Sequence, residues 1–348
     1  MGLQERFGVT DVIAFVNPEA SHAAKATQQI HAIEQRFGVT VETFESSARM
    51  NETRERFHNE LVERLGEKTL VLIKGGDGQA HLWAELLEDP ETPVEARQTV
   101  TLFGANGNKC DTARSLNSHR SLHTPDEVLA SPQARVADIY PMQFSYQTPA
   151  GEERRTVLSY FGVGASGIGA AAIDIAKPAF REIQDKYPRV GKLIQHALEP
   201  AVVLPAGWAS PTFTLHEVDK PQHPQETEHV LEWLIRNGTR MAGYKTSNVP
   251  LTNRKVCLST TQTGVSGAWR SANIIGNGLL LAGRKLPAEV FDVSGKPRHW
   301  QLADIEGGTL FAQADGEPFV VSEGHVAMQA APALRAITTV PSTPKHAR

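Results

Sequence analysis

The stretch LVLIKGGDGQAHLWAELL sets three glycines around Asp77, where a run of apolar residues stops at Lys74 and a helical pattern begins. Glycine lets backbone come close to phosphate oxygens, and free N–H groups at a strand end and a helix N-terminus favour anions. Gly75, Gly76 and Gly78 are therefore candidate phosphate contacts. Asp77 is the odd carboxylate in such a loop, tolerable where it meets a metal ion or a substrate hydroxyl. A tight turn with an exposed aspartate has the same pattern.

A second glycine loop follows the next apolar run, TLFGANGNKCDTARSL, so two successive strands end in Gly/Asn-rich loops that lie side by side in a parallel sheet. Asn106 or Asn108 tolerates a positive φ or contacts a nucleotide, and Asp111 is placed to cap the helix that carries Arg114. Far downstream, TLFAQADGEPFVV puts Asp315-Gly316-Glu317 between two strand-like runs. Alone, Asp-Gly is a favoured hairpin turn.

Other leads are weaker. Gly162, Gly164 and Gly167 have the GxGxxG spacing of a dinucleotide loop, but no βα series follows, and Glu182 and Asp185 fall inside a helical pattern. His119 and His123 are four apart without a carboxylate partner and read as solvated loop residues. Neither a GxxxxGK[ST] loop nor a GxSxG elbow occurs.

The elements that must position these residues are legible as alternating patterns. Val12 to Val16 reads as a buried strand, broken by Asn17-Pro18 before a helix with Ile30, Ile33 and Phe37 at helical spacing and Gly38 as its stop. Val39 to Phe44 is a second strand, Asn51 to Leu65 a helix with Phe57, Leu61 and Leu65 on one face, closed by Gly66. Thr69 to Ile73 and Val100 to Phe103 are strands entering the two glycine loops, the first followed by a helix from about Gln79 to Leu87. Thr124-Pro125-Asp126-Glu127 is a strong helix start. After Tyr140 the pattern turns β-rich, with Gln143 to Gln147, a turn at Pro149 to Glu152, and Arg155 to Phe161. A helix over Ala170 to Leu198 and an exposed polar loop at Asp219 to His229 interrupt it. The expectation is an α/β domain over residues 1–140 and a β-sandwich-like domain over 141–340, whose final strand is free to return to the first.

Length and composition agree with two cores: 348 residues, 40% hydrophobic and 21% charged. A formal net charge of -4 provides no attraction to nucleic acid. Cys110 and Cys257, far apart, make neither a disulfide framework nor a thiolate zinc site, and suit a reducing cytoplasm. The segment MGLQERFGVT lacks the apolar run of an export signal, and Arg6 stands where myristoylation requires Ser or Thr. With no long apolar run, any contact with a bilayer is peripheral.

Asn-Pro followed by Ser, then GGDG, a Gly/Asn-rich loop ending in ARSL, Asn-Gly and finally Asp-Gly-Glu, in this order, resembles the catalytic region of diacylglycerol, sphingosine and ceramide kinases over nearly the whole chain. The resemblance implies an NAD-kinase-like α/β domain followed by a β-sandwich domain, with the site in the cleft between them. It implies ATP and Mg2+ as cofactors. Asn17, Pro18 and Ser21 match the first nucleotide loop, Gly75, Gly76, Asp77, Gly78 and Gln79 the phosphate loop, Gly107 and Asn108 the third loop, and Thr43 a nucleotide-contacting threonine. Asn237-Gly238 matches the middle of the second domain. Glu317 takes the general-base position, with Asp77 and Asp315 as further catalytic residues; no metal ligands are assigned.

Departures from the family pattern are Gln79 after GGDG, Leu82 in a glutamate's position, GNKCDTA in the third loop, and Pro250-Leu251-Thr252-Asn253 without a carboxylate. The implied acceptor is a lipid hydroxyl, with a small alcohol or NAD as the alternative and a non-catalytic nucleotide- or lipid-binding scaffold as the reading of another class. The sequence leaves oligomeric state open.

Overall fold

The computed structural model describes residues 2–18, 23–47, 50–104, 110–117, 124–187, 194, 210–219, 230–241, 244–245, 249–262, 289–293 and 295–340. The calls at Ser21, Asn106, Gly107, Asn108, His119 and His123, and all but the first residue of the loop 219–229, lie outside them.

Strands β1 (Asp11–Val16), β2 (Val41–Glu45), β3 (Thr69–Lys74), β4 (Val100–Phe103) and β5 (Arg135–Ile139) form one sheet with the strand Leu334–Thr338, which lies between β4 and β5. All pairs are parallel except the one with β5. A parallel sheet is covered on both faces, so its strands are apolar on both. Ile13, Phe15, Val71 and Ile73 pack into one core, Val12, Ala14, Leu70 and Leu72 into another.

The helices here are α1 (Leu3–Phe7), α2 (Ala23–Phe37), α3 (Met50–Arg56), α4 (Asp77–Glu88), α5 (Asp111–Leu116) and α6 (Pro125–Ala130). The helix expected over residues 51–65 is α3 continued by a π-helical turn, Phe57–Leu61, and a 3-10 turn, Val62–Arg64. Phe57, Leu61 and Leu65 still share one core. At α6 the Thr124 N–H donates to Glu127 Oε2 at 3.0 Å, completing a capping box.

The chain then builds β6 (Met142–Thr148), β7 (Gly151–Val157), β8 (Tyr160–Gly164), α7 (Ala165–Lys186), β9 (Thr212–Glu217), β10 (Val230–Arg236), β11 (Arg240–Met241), β12 (Tyr244–Lys245), β13 (Lys255–Gln262), β14 (Glu289–Asp292), β15 (Arg298–Glu306), β16 (Phe311–Ala314), β17 (Glu317–Val320) and β18 (Gly324–Ala330) before returning as β19 (Leu334–Thr338). Antiparallel pairing runs β17-β16-β8-β10-β9-β15-β18-β6-β7, with β13 and β14 branching from β10. Phe144 and Phe161 stack 4.0 Å apart although β8 and β6 are third and eighth in that order, so the sheet curls back on itself. Trp233 and Trp300 fill the same core. Among the described residues no helix is long and apolar enough to cross a membrane.

The GxGxxG spacing is packing chemistry. Helix α7 begins at Ala165, five residues ahead of the expected Ala170, because these glycines serve the strand-to-helix switch and not a loop. Gly164 has φ 98, and a Cβ there would lie 2.2 Å from the Leu231 carbonyl oxygen; one on Gly167 would lie 2.3 Å from that of Phe311. Gly164→Ala is expected to destabilise by about 2 to 4 kcal/mol, combining the positive-φ penalty with the collision. Urea unfolding measures it, and a loss below about 0.5 kcal/mol would contradict this packing.

Candidate active site

The glycine loop joins β3 to α4, with Gly76 at the N-cap position of the helix. Gly75 allows the turn to fold back tightly, since a Cβ there would lie 2.5 Å from Gln79 Cβ. Gln79 is anchored from below: its Nε2 donates to Ser46 Oγ at 3.1 Å, and the Ser46 N–H donates to the Val16 carbonyl at 2.8 Å. The ends of β1, β2 and β3 are thus tied under one loop.

Asp77 is the first residue of α4, and its carboxylate accepts the N–H groups of Asp111 at 2.9 Å and Thr112 at 3.0 Å. The carboxylate caps α5 from outside. This corrects the expectation that Asp111 caps that helix: Asp111 is its first residue, preceded by Cys110 at φ 51. Burial raises the Asp77 carboxyl above its ordinary range, against the two N–H donors and together with the charge of Asp315.

Asp315 and Gly316 form the two-residue turn between β16 and β17, at φ 49 and 92, as a type I′ hairpin requires. The turn is more than a reversal. The buried Asp315 carboxylate accepts N–H groups from Leu158 at 2.7 Å, Ser159 at 2.7 Å and Tyr160 at 2.9 Å. His81, from α4 of the first domain, reaches it across the domain junction at 3.4 Å and pairs with Glu85 at 3.1 Å. Thr112 Oγ1 and Ser159 Oγ, 2.9 Å apart, close the same junction, as does the Asn237 side chain donating to the Tyr140 carbonyl. Burial, with the charges of Asp111, Asp77 and Asp315, drives the Tyr160 phenol well above its ordinary value.

Burial alone would lower His81, but the flanking Asp315 and Glu85 override it and push it up to about 10. A group raised on folding stabilises fully below its unfolded value, near 6.5, and that contribution is lost as pH rises through about 10. The stability difference between wild type and His81→Gln in urea should therefore shrink from pH 6.5 to 10; a constant difference would contradict the ion pair.

Glu317 opens β17, and its side chain is 47% exposed at the mouth of this junction. Oε1 would lie 3.2 Å from a Cβ placed on Gly78, while Oε2 is 3.7 Å from Arg155 Nη1. Arg155 is held over the Phe319 ring, 4.5 Å from its centroid. The Asp-Gly-Glu hairpin of the second domain therefore overhangs the glycine loop of the first.

The structure brings Gly75, Gly76, Asp77, Gly78, Gln79, Asp315 and Glu317 together. Asn17 and Pro18 follow the end of β1, beside β3 in register Val16 with Lys74. Thr43 is exposed in the middle of edge strand β2, opposite Ala14, and Ser46 beyond that strand makes the contact to the loop instead. Leu82, in the family's glutamate position, packs on the first-domain core, and the carboxylate beside His81 comes from Glu85 one turn on. Arg155 and Glu85 were not among the expected site residues; Glu85 had the one-turn spacing from His81 as its local signal, and Arg155, half-buried in β7, had none.

Among the described residues, three metal-ligating side chains converge at His58, Asp89 and Glu91, within 4.8 Å, where Asp89 already pairs with Arg54 at 2.9 Å. That group is at the far end of α4, about 18 Å along the helix from the glycine loop. At the loop itself, Asp77 and Asp315 are engaged by backbone N–H groups, which leaves Glu317 as the carboxylate on its rim.

No protein-family model matches the chain, and comparison with curated protein sequences returns no relative. Solved structures do match. A Bacillus anthracis str. Sterne protein assigned as a diacylglycerol kinase superposes with a TM-score of 0.58 at 13% identity, over 94% of this chain and 97% of that one. A diacylglycerol kinase structure from the same organism gives 0.53 at 12% identity, over 94% and 96%. The two-domain fold is that of these proteins.

Proposed function

We propose that this chain uses its diacylglycerol-kinase fold for the corresponding reaction, as an ATP-dependent kinase acting on a hydroxyl of a diacylglycerol- or sphingosine-like lipid. The observation that carries the proposal is Glu317, whose Oε1 overhangs Gly78 while Arg155 holds the other oxygen. A general base must lie within reach of both the attacking hydroxyl and the phosphate loop. Among the described carboxylates of the site, Glu317 alone is exposed enough to meet an acceptor.

In this reading the triphosphate enters over Gly75 to Gly78 and the N-terminus of α4, with Asn17 and Pro18 flanking it. The acceptor oxygen attacks the γ-phosphorus, its proton passes to Glu317, and the bond to the β-phosphate oxygen breaks to release ADP. Asp77 and Asp315 act as positioning residues. Asp77 fastens the phosphate loop to α5, and Asp315 holds the Glu317 hairpin on the 158–160 segment. Magnesium carried by the triphosphate would keep most of its waters and would neutralise phosphate charge; Glu317, the exposed carboxylate at the loop rim, would face its water shell and leave an oxygen free to take the acceptor proton.

A non-catalytic scaffold is favoured by one observation, the apolar Leu82 packed where the family has a glutamate. Transfer of radiolabel from the γ-position of ATP, followed by separation of lipid from water-soluble products, decides the matter. Label in a phospholipid supports the proposal; label in NAD phosphate or a small alcohol phosphate replaces the acceptor; no labelled product favours the scaffold.

A further inference from the structure

Lys74 ends β3 one residue before the glycine loop and is 2% exposed. A lysine so deeply buried is expected to have a carboxylate or several acceptors around it. Among the described residues Lys74 makes one hydrogen bond, donating from Nζ to Gln29 Oε1 at 3.2 Å. Gln29, from α2, is 4% exposed, and its own Nε2 has no partner. An ammonium carries three donors and a carboxamide nitrogen two. Among the described residues, the pair therefore buries four N–H groups without an acceptor.

The position of this donor cluster is specific. Lys74 shares the face of Leu70 and Leu72, which looks onto α2, and lies in register with Val16, the last residue before Asn17-Pro18. The cluster thus sits under the start of both the first nucleotide loop and the glycine loop. Burial pushes the ammonium down to about 7, and among the described residues the countering charge is Asp126, on α6, which forms its ion pair with Arg36 at 3.0 Å instead. A lysine kept for packing alone would be better replaced by Leu or Met at no desolvation cost.

We propose that Lys74 and Gln29 form a buried anion subsite that receives a phosphate group of the bound nucleotide from beneath the glycine loop. This rests on the kinase reading for the identity of the ligand, not for the existence of the site. A phosphate oxygen accepts from Nζ and Nε2 together, supplies the missing negative charge and favours the protonated lysine.

The test measures binding of ATP, adenosine and inorganic pyrophosphate by calorimetry to wild type, Lys74→Met and Gln29→Leu. Lys74→Met should bind ATP and pyrophosphate at least about tenfold more weakly, and Gln29→Leu several-fold more weakly, with adenosine affinity unchanged. Unliganded Lys74→Met should also melt higher than wild type, so a weakened site is not a misfolded one. Wild-type affinity of Lys74→Met for pyrophosphate would overturn the subsite. Lysine-dependent pyrophosphate binding without any nucleotide binding would uphold the subsite and overturn the kinase reading. Failure of wild type to bind either ligand would overturn both.

Discussion

Glu317→Gln is expected to lower acceptor-dependent ATP turnover by about 10² to 10⁴, the range that a general base contributes, with nucleotide affinity within about twofold of wild type. The two effects separate because of where the side chain sits. Glu317 is on the rim of the glycine loop, half exposed, and its removal empties no core and orphans no buried donor. Glutamine keeps the shape and the contact near Gly78 but cannot accept the hydroxyl proton. Steady-state turnover together with calorimetric nucleotide binding checks both halves. Turnover within a factor of three would remove Glu317 from the chemistry.

Asp315→Ala should act in the opposite way, through the fold. One buried carboxylate accepts three backbone N–H groups and faces His81, so truncation leaves three buried donors and half of an ion pair unsatisfied. Breaking such an arrangement costs about 3 to 5 kcal/mol. The backbone adds to this, because φ 49 suits Asp or Asn and strains Ala. Asp315→Asn should recover part of the loss, keeping the turn conformation and one acceptor oxygen. The midpoint of urea unfolding reads the effect, and a loss under about 1 kcal/mol for the alanine variant would show that the 158–160 segment is held by something else.

The glycines around Asp77 and the Asp-Gly-Glu turn were readable because their local geometry demands those residue types. A strand end that meets a helix in two residues needs glycine, and a two-residue hairpin with both residues at positive φ needs Asp-Gly or a near equivalent. The curled second sheet was legible as hairpins, though its closure depends on Phe144 meeting Phe161 across distant strands. What local pattern does not carry is which backbone groups a carboxylate will satisfy. Asp77 reads as a carboxylate for a metal ion or a substrate hydroxyl and Asp315 as a hairpin-turn residue, and no local pattern says that their oxygens meet N–H groups 34 and 156 positions away. For the same reason Asp111 read as its own helix cap, when the cap comes from Asp77. Lys74 had a signal of its own, a charge closing an otherwise apolar strand, but its lack of a counter-ion among the described residues is a property of tertiary packing.

In the proposed reaction the Glu317 hairpin and the glycine loop together transfer phosphate to an acceptor. Its most direct test is ADP formation by the purified protein with ATP and magnesium, offering diacylglycerol, sphingosine and NAD in turn. ADP production that depends on a lipid acceptor and disappears in Glu317→Gln is the expected result; tight nucleotide binding with no turnover on any acceptor would contradict phosphoryl transfer at this site.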